Sequence, residues 1–449
     1  MEIYIESLGC VRNNVDSEVM AGYLELAGHT IVDDPAGALI IIINTCGFIS
    51  TASREAVDVI LSMAELKKRG RLKRLIVTGC LVERYKNDDL LPSLPEVDAF
   101  LGTGAVNRIV HAVEDRSGGT LALLPDPADR KQEDEFAPLP RKFASLTPAY
   151  LKVSEGCRRK CTYCIIPKLR GPQRSKPVRT VLAETGQLLA KGSREIVLVA
   201  ESTTDYGLDL DEKVSFADLI GNVAKQIGNF GKSPEKSSWL RLLYTYPSTL
   251  NKDIINTVLN IPVICPYFDV PVQHASSKIL RRMGRDYSKD DLLKLFGFIK
   301  EKDPDAALRT TVITGFPGET EDDFNELLDF IRHVKFNHLG VFTYSDSQDL
   351  KSHNFDNHVP KDVARKRHDI IMETQAGISL GINLKYIGRT CRVLVEGESD
   401  HGIYLGRTMF QAPEVDGLTF IYGFDLEIGT FVDVKITEAY EYDIAGEVV

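Results

Sequence analysis

Three cysteines, Cys157, Cys161 and Cys164, stand in the stretch G-C-R-R-K-C-T-Y-C-I-I-P at residues 156–167, a C-x3-C-x2-C spacing. Thiolates are soft ligands that select iron–sulfur clusters or zinc. A structural zinc site takes four protein ligands. No fourth cysteine stands nearby, and the histidines nearest in sequence are His111 and His274. Three thiolates therefore suit a cluster with one iron left open to a small molecule. A zinc knuckle or uncommitted thiols are the plainer readings. A second set is spread out: Cys10, Cys46 and Cys80 each directly follow a short apolar or alternating run, 36 and 34 residues apart. Buried cysteine also packs well as a small hydrophobe, but three in the same relation to three strands read as a second three-thiolate site with a free iron. Cys265 and Cys391 fit neither set and read as ordinary buried thiols.

The elements that must position these thiols can be read from hydrophobic pattern. Residues 3–8 alternate as a strand, and Asp16-Ser17-Glu18 offers an N-cap and first-turn acids for a helix that stops at Gly28. Residues 39–43 (L-I-I-I-I) form the continuous apolar run expected of a parallel strand covered on both faces. A helix over 51–69, a strand over 75–78 and a fourth strand over 97–101 complete a small doubly wound α/β domain. Loops at the carboxyl ends of parallel strands gather at one sheet edge, so Cys10, Cys46 and Cys80 are expected to meet. Residues 125–141 (P-D-P-A-D-R-K-Q-E-D-E-F-A-P-L-P-R) lack apolar periodicity and read as a linker. Six strand candidates follow, over 150–154, 195–200, 239–244, 267–272, 308–314 and 339–344. Helical stretches separate them, which implies a partial (β/α)6 TIM-like barrel, laterally open. Active residues of such barrels lie at carboxyl strand ends, where the Cys157 loop also falls.

Other strand ends carry candidate groups. Glu201-Ser202-Thr203 follows the second strand, Gln273-His274 the fourth, and Gly315-Phe316-Pro317-Gly318-Glu319 the fifth. Glycines there permit close backbone approach to a ligand, or simply a turn before a helix near Thr320. His274 reads as a packed, hydrogen-bonded histidine rather than a base. Arg174-Ser175 suits an anionic group or an exposed surface. From residue 383 short strands over 390–396, 402–409, 418–422 and 431–439 predict a small antiparallel barrel of the oligonucleotide-binding kind.

Composition sets limits on partners. The 449 residues suggest two or three domains; boundaries are expected at 1–124, 125–142 (linker), 143–378 and 383–449. A net charge of −10 gives no general nucleic-acid signature. Within 383–449, five Lys and Arg face twelve Asp and Glu, a net of −7. A phosphate-tracking surface needs Lys and Arg, so direct specific nucleic-acid binding is not expected, and a basic protein partner is. No run approaches the length of a membrane span, the amino terminus does not read as a signal peptide, and eight cysteines without a secretion signal point to metal binding or catalysis in a reducing cytoplasm.

The C-x3-C-x2-C spacing with Tyr163 before its last cysteine resembles the radical S-adenosylmethionine (SAM) superfamily. With the three spread cysteines and a carboxyl-terminal barrel (a TRAM domain), nearly the whole chain resembles the methylthiotransferases. Within these it is most similar to the ribosomal-protein aspartate methylthiotransferases of the RimO type. The matching strings are S-L-G-C-x-x-N-x-V-D-S-E at 7–18, N-T-C-G-F-I at 44–49, T-G-C-L at 78–81, S-E-G-C at 154–157, R-L-L-Y-x-Y-P at 241–247, D-V-P-V-Q-H-A-S at 269–276, T-G-F-P-G-E-T at 314–320 and A-P-E-V-D-G at 412–417. The resemblance implies two 4Fe–4S clusters, on Cys10/Cys46/Cys80 and Cys157/Cys161/Cys164, and SAM bound near Tyr163, Glu201, Gln273 and Gly315. It implies methylthiolation of an aspartate in small-subunit ribosomal protein twelve, with a reducing electron donor such as a flavodoxin and a sulfide or other sulfur donor. The chain departs from the usual family strings at Val11-Arg12, Glu201-Ser202, the segment 346–350 and Lys176.

Overall fold

The computed structural model describes residues 1–130, 140–143, 147–231 and 237–449. Of the linker reading, residues 131–139 lie outside the described residues.

The first six strands are β1 (Glu2–Ser7), β2 (Thr30–Ile31), β3 (Ile40–Thr45), β4 (Arg74–Gly79), β5 (Ala99–Leu101) and β6 (Leu121–Leu123). They form one parallel sheet in the order β2-β1-β3-β4-β5-β6. The run of isoleucines makes β3 central: Ile41 and Ile43 pack under helix α2 (Ser50–Lys68), while Ile40 and Ile42 pack under α1 (Val11–Leu26) on the other face. Burying each such side chain is worth about 1.5–3 kcal/mol. Chain direction across the sheet reverses between β1 and β3, the topological switch where open sheets bind ligands. Cys10 and Cys46 follow these two strands.

The first helix corrects the sequence reading. It begins at Val11 with Cys10 at the N-cap position, not at Asp16. Asp16 and Ser17 are buried within it and make contacts to other elements, so their polarity serves long-range pairing instead of a cap. The short edge strands β2 and β6 carried no periodicity to announce them.

The central strands are β7 (Ala149–Lys152), β10 (Glu195–Val199), β11 (Trp239–Leu242), β12 (Tyr267–Asp269), β13 (Ala307–Thr314) and β14 (His338–Thr343); the two-residue strands β8 (Ser154–Glu155) and β9 (Arg174–Ser175) pair beside them. Parallel pairing gives β7-β10-β11 and β12-β13-β14, joined by a bridge between Leu240 and Ile264. Edges β7 and β14 do not pair, which leaves the barrel open at its side. Helices Phe216–Phe230, Lys289–Lys302 and Glu321–Val334 start on capping boxes in which Ser215, Ser288 and Thr320 exchange hydrogen bonds with an aspartate three residues on.

Strands β15 (Thr390–Asp400), β16 (Ile403–Thr408), β17 (Thr419–Tyr422), β18 (Phe431–Ala439) and β19 (Ile444–Val448) close into a barrel. The expectation of an all-antiparallel ring is corrected at one seam: β17 and β19 run parallel. A closed ring with an odd number of strands cannot alternate throughout. This barrel sits against the amino-terminal ends of the central strands, where Leu394, Ala412 and Phe431 share a cluster with Trp239 and Tyr267. Helix α1 enters the same cluster with Val11 and Val15.

Candidate functional site

Three loop ends of the first sheet are tied together by buried amides. Asn13, fully buried, donates to Leu8 O at 2.9 Å and Thr45 O at 3.0 Å, joining the segments that carry Cys10 and Cys46. Asn44 donates back to Asn13 O at 2.9 Å, and Thr45 Oγ1 donates to Thr78 O at 2.5 Å, drawing in the turn before Cys80. The three thiols lie close enough to feel one another's charge. Burial pushes Cys80 up to about 12 against Arg170, with Cys10 and Cys46 adding to the rise. Cys46 is also raised by burial, against the Phe48 N–H. Burial raises Cys10 too, yet Arg12, Arg170 and the Asn13 N–H outweigh it and its thiol is lowered. Positive groups thus surround a set of potential thiolates.

The second set hangs from a forced turn. Gly156 has φ of 72°, and a Cβ there would meet Pro172 O at 2.2 Å, so only glycine fits between β8 and Cys157. Thr162 N–H donates to Met283 O at 3.0 Å and its hydroxyl to Arg282 O at 2.8 Å, pinning the loop from the opposite side. Arg159 N–H points to Cys157 Sγ at 3.5 Å. Burial pushes Cys157 up to about 11 and Cys164 to about 12.

Among the described residues, no three of His, Cys, Asp and Glu approach closely enough to hold a single metal ion. Three soft thiolates per set are the donor chemistry an iron–sulfur cluster takes, and a structural zinc would take a fourth protein ligand.

The second set opens on a cavity of about 240 Å³ whose wall also includes residues of the first domain. Cys157, Cys161, Tyr163 and Cys164 line it from the barrel, and Arg12 and Phe48, each two residues past a cysteine, line it from the first domain. Glu201, Ser202 and Gln273 also line it. Glu201 is nearly fully buried, with Arg12 Nε at 3.2 Å and Arg170 Nε at 3.9 Å, but neither of its carboxylate oxygens accepts a hydrogen bond among the described residues. Burial raises its pKa against Arg12. A buried anion lacking donors is matched to a cationic ligand. Gln273 adopts φ of 68°, held by Gln273 N–H to Thr311 O and Ile313 N–H to Gln273 O, both 2.8 Å. Tyr163 is held by Arg285 Nη2 on its hydroxyl at 2.5 Å.

Other candidates fall elsewhere. Gly315 does not line the cavity; its bare Cα faces Ala364, where a Cβ would come within 2.3 Å, and Glu319 takes its N–H. The glycine therefore serves packing of helix Lys361–Asn383. His274 is buried, its Nδ1 accepting from Ser276 N–H at 2.9 Å, as expected of a packed histidine. Arg174 is buried, its guanidinium donating to the carbonyls of Pro172 and Arg170. Thr203 Oγ1 donates to Leu243 O at 2.9 Å, which leaves it a structural part.

Several lining residues escaped sequence reasoning. Tyr244 has φ of 61°, a strained value for a bulky residue costing about 1–3 kcal/mol. Its N–H donates to Asp269 Oδ2 at 2.8 Å and its ring carries Arg12 at 4.9 Å. Arg159 pairs with Asp205 at 2.5 Å and lies over Tyr246 at 3.7 Å. Adjacency of Arg12 and Arg159 to cysteines was the one local signal available.

Family models match in three blocks: Uncharacterized protein family UPF0004 over residues 2–102, Radical SAM superfamily over 151–331 and TRAM domain over 387–449. A protein of Desulfosudis oleivorans named ribosomal protein uS12 methylthiotransferase RimO is 46% identical over 448 residues, covering 100% of each chain. One of the same name from Clostridioides difficile is 43% identical, covering 100% of this chain and 99% of its own. Among solved structures, the radical S-adenosylmethionine methyltransferase TsrM of Kitasatospora setae superposes with a TM-score of 0.55 at 13% identity, covering 76% of this chain and 71% of that one. That likeness carries the fold alone. Among the described residues, no helix is long and apolar enough to cross a membrane.

Proposed function

The chain belongs to the ribosomal protein uS12 methylthiotransferase family, and from that premise we propose that it is a radical SAM enzyme converting an aspartate of small-subunit ribosomal protein uS12 to β-methylthio-aspartate. Two 4Fe–4S clusters and SAM, when bound, supply sulfur methylation at one centre and, at the other, a 5′-deoxyadenosyl radical that takes hydrogen from the substrate β-carbon. Cys157, Cys161 and Cys164 hold the centre that cleaves SAM. Cys10, Cys46 and Cys80 hold the auxiliary centre that carries sulfur, where the cations Arg12 and Arg170 offset thiolate charge. Glu201 accepts the SAM ammonium, and Gln273 and Tyr163 orient SAM from the neighbouring strand end and the cysteine loop. Gly315 contributes only through the position of its turn.

The observation that supports this reading most is one cavity lined by Cys157, Cys161 and Cys164 and, from the first domain, by Arg12 and Phe48, each two residues past a cysteine of the other set. A hydrogen-abstracting centre and a sulfur-donating centre must reach one β-carbon, and proximity is what converts two transfers into one reaction. The acidic carboxyl-terminal barrel is matched to a basic ribosomal protein. The substrate places the enzyme in the cytoplasm, and a low-potential donor such as a flavodoxin and a sulfide source complete its needs.

The test is an anaerobic assay of reconstituted protein with SAM, sulfide, dithionite and either small ribosomal subunits or tRNA. Methylthio mass on the uS12 aspartate is expected. Its appearance on tRNA instead would overturn the substrate, and absence of 5′-deoxyadenosine would make the protein a carrier or sensor.

A further inference from the structure

Arg170 ends the short helix Ile166–Arg170 that leaves Cys164, and it is 2% exposed. Its guanidinium reaches in every direction. Nη1 donates to Asp16 Oδ2 at 2.9 Å and Glu155 Oε1 at 2.8 Å. Nη2 donates to Asn13 Oδ1 at 2.5 Å and to Cys80 Sγ at 3.7 Å. Asp16, Asn13 and Cys80 belong to the first domain; Glu155 stands two residues before Cys157. Lys152 closes the ring, with Nζ at 2.6 Å from Asp16 and 2.5 Å from Glu155. Asn13 is the same side chain that fastens the Cys10 and Cys46 segments to each other.

We propose that Arg170 is the positioning residue that joins the two cysteine sites, hydrogen-bonding the sulfur of Cys80 in one while gripping Glu155 beside the other. This rests on the reading that Cys10, Cys46 and Cys80 hold a cluster. Two consequences follow from the geometry. A charged N–H donor to a ligating sulfur stabilises the reduced, more negative cluster and raises its potential. The planar fork fixes the separation of the two sites, since four acceptors from both domains are met by one rigid group. Lysine, a single point charge, cannot meet them together.

The test uses the full chain with Cys157, Cys161 and Cys164 replaced by alanine, reconstituted anaerobically so that only the other site can carry iron. Iron content is measured first: iron near zero here sinks the two-cluster reading itself. Given iron, the midpoint potential followed by electron paramagnetic resonance should shift to more negative values in Arg170→Met, and by a smaller step in Arg170→Lys. Equal potentials in all three proteins would overturn the proposal. Should Arg170→Met fail to fold, Arg170→Lys alone decides, by the same potential. In the enzyme with both sites intact, Arg170→Lys should raise the ratio of 5′-deoxyadenosine to methylthiolated product several-fold, because SAM is still cleaved while the sulfur centre stands out of register. An unchanged ratio speaks against the positioning role.

Discussion

At the floor of the central barrel, Glu195 receives Arg241 Nε at 2.6 Å and Arg407 Nη2 at 2.5 Å, so both carboxylate oxygens are used. At its mouth, the side chain of Glu201 is nearly as deeply buried, yet its oxygens take no hydrogen bond among the described residues and Arg12 stays at 3.2 Å. The floor continues the pattern of completion. Asp416, from the string A-P-E-V-D-G, accepts from Tyr267 Oη at 2.6 Å, Ala412 N–H at 2.7 Å and Arg309 Nε at 3.2 Å. The mouth continues the pattern of want, with Ser202 Oγ and Arg12 Nε also buried without a hydrogen bond among the described residues and with Tyr244 and Gln273 in left-handed backbone. Charge buried and satisfied holds domains together; charge buried and left open waits for a ligand.

The largest test breaks the floor. Glu195→Gln leaves Arg241 buried without its anion and Arg407 with Glu396 alone, and removing one partner of such a group costs about 3–5 kcal/mol. Trp239, the single tryptophan, packs on Phe431 of the carboxyl-terminal barrel with ring centroids 4.7 Å apart, so its fluorescence reports release of that domain. The variant should lose the domain contact at much lower denaturant. Acid provides the same comparison without mutation. Burial raises Glu195, but Arg407 and Arg241 outweigh it and hold the carboxyl at about 2. A carboxylate lowered in the fold stabilises above its unfolded value of about 4.3, and that contribution disappears as pH falls from there toward 2. Wild type and Glu195→Gln should therefore converge over this window. A constant gap would show that the ion pair is not what distinguishes them.

A smaller step comes from Asp416→Asn. The amide keeps one acceptor but loses the charge facing Arg309, at a cost of about 2 kcal/mol. The same fluorescence should register it, with SAM binding unchanged in the folded protein. A fall in SAM affinity without loss of stability would erase the division between the ends, because Arg309 leads through Asp269 to the strained Tyr244 N–H.

The division was only partly legible in the sequence. Cysteine spacing and strand-end placement pointed to both thiol sets, and the run Leu39–Ile43 announced the central strand, because these signals are local. Asp16 read as a helix cap because nothing local told of Lys152 and Arg170, 136 and 154 residues away. Strand β19 was missed because five residues at the chain end gain their meaning only by closing a ring. Gly315 read as a ligand turn, whereas its neighbour is Ala364 on a helix that periodicity could not place against it. The floor was hidden for the same reason: Glu195, Arg241 and Arg407 are far apart in the chain and look like surface charges.

The smallest stability effect is expected at the mouth, from Glu201→Gln. Burial raises this carboxyl against the pull of Arg12, so the folded protein carries an incompletely compensated anion. Replacing it removes an ion pair and a desolvated charge together, and these should offset to within about 1 kcal/mol. Function should respond in the opposite proportion. A charged hydrogen bond to the SAM ammonium is worth about 1.5–3 kcal/mol, hence about a tenfold or greater loss of SAM affinity, read by equilibrium dialysis on the anaerobically reconstituted enzyme. Glu195→Gln and Glu201→Gln are the same chemical change to two little-exposed side chains, made at opposite ends of one barrel. If both unfold the protein alike, or if Glu201→Gln binds SAM as wild type does, open valence at the mouth is an accident of packing and the ligand is held by other groups.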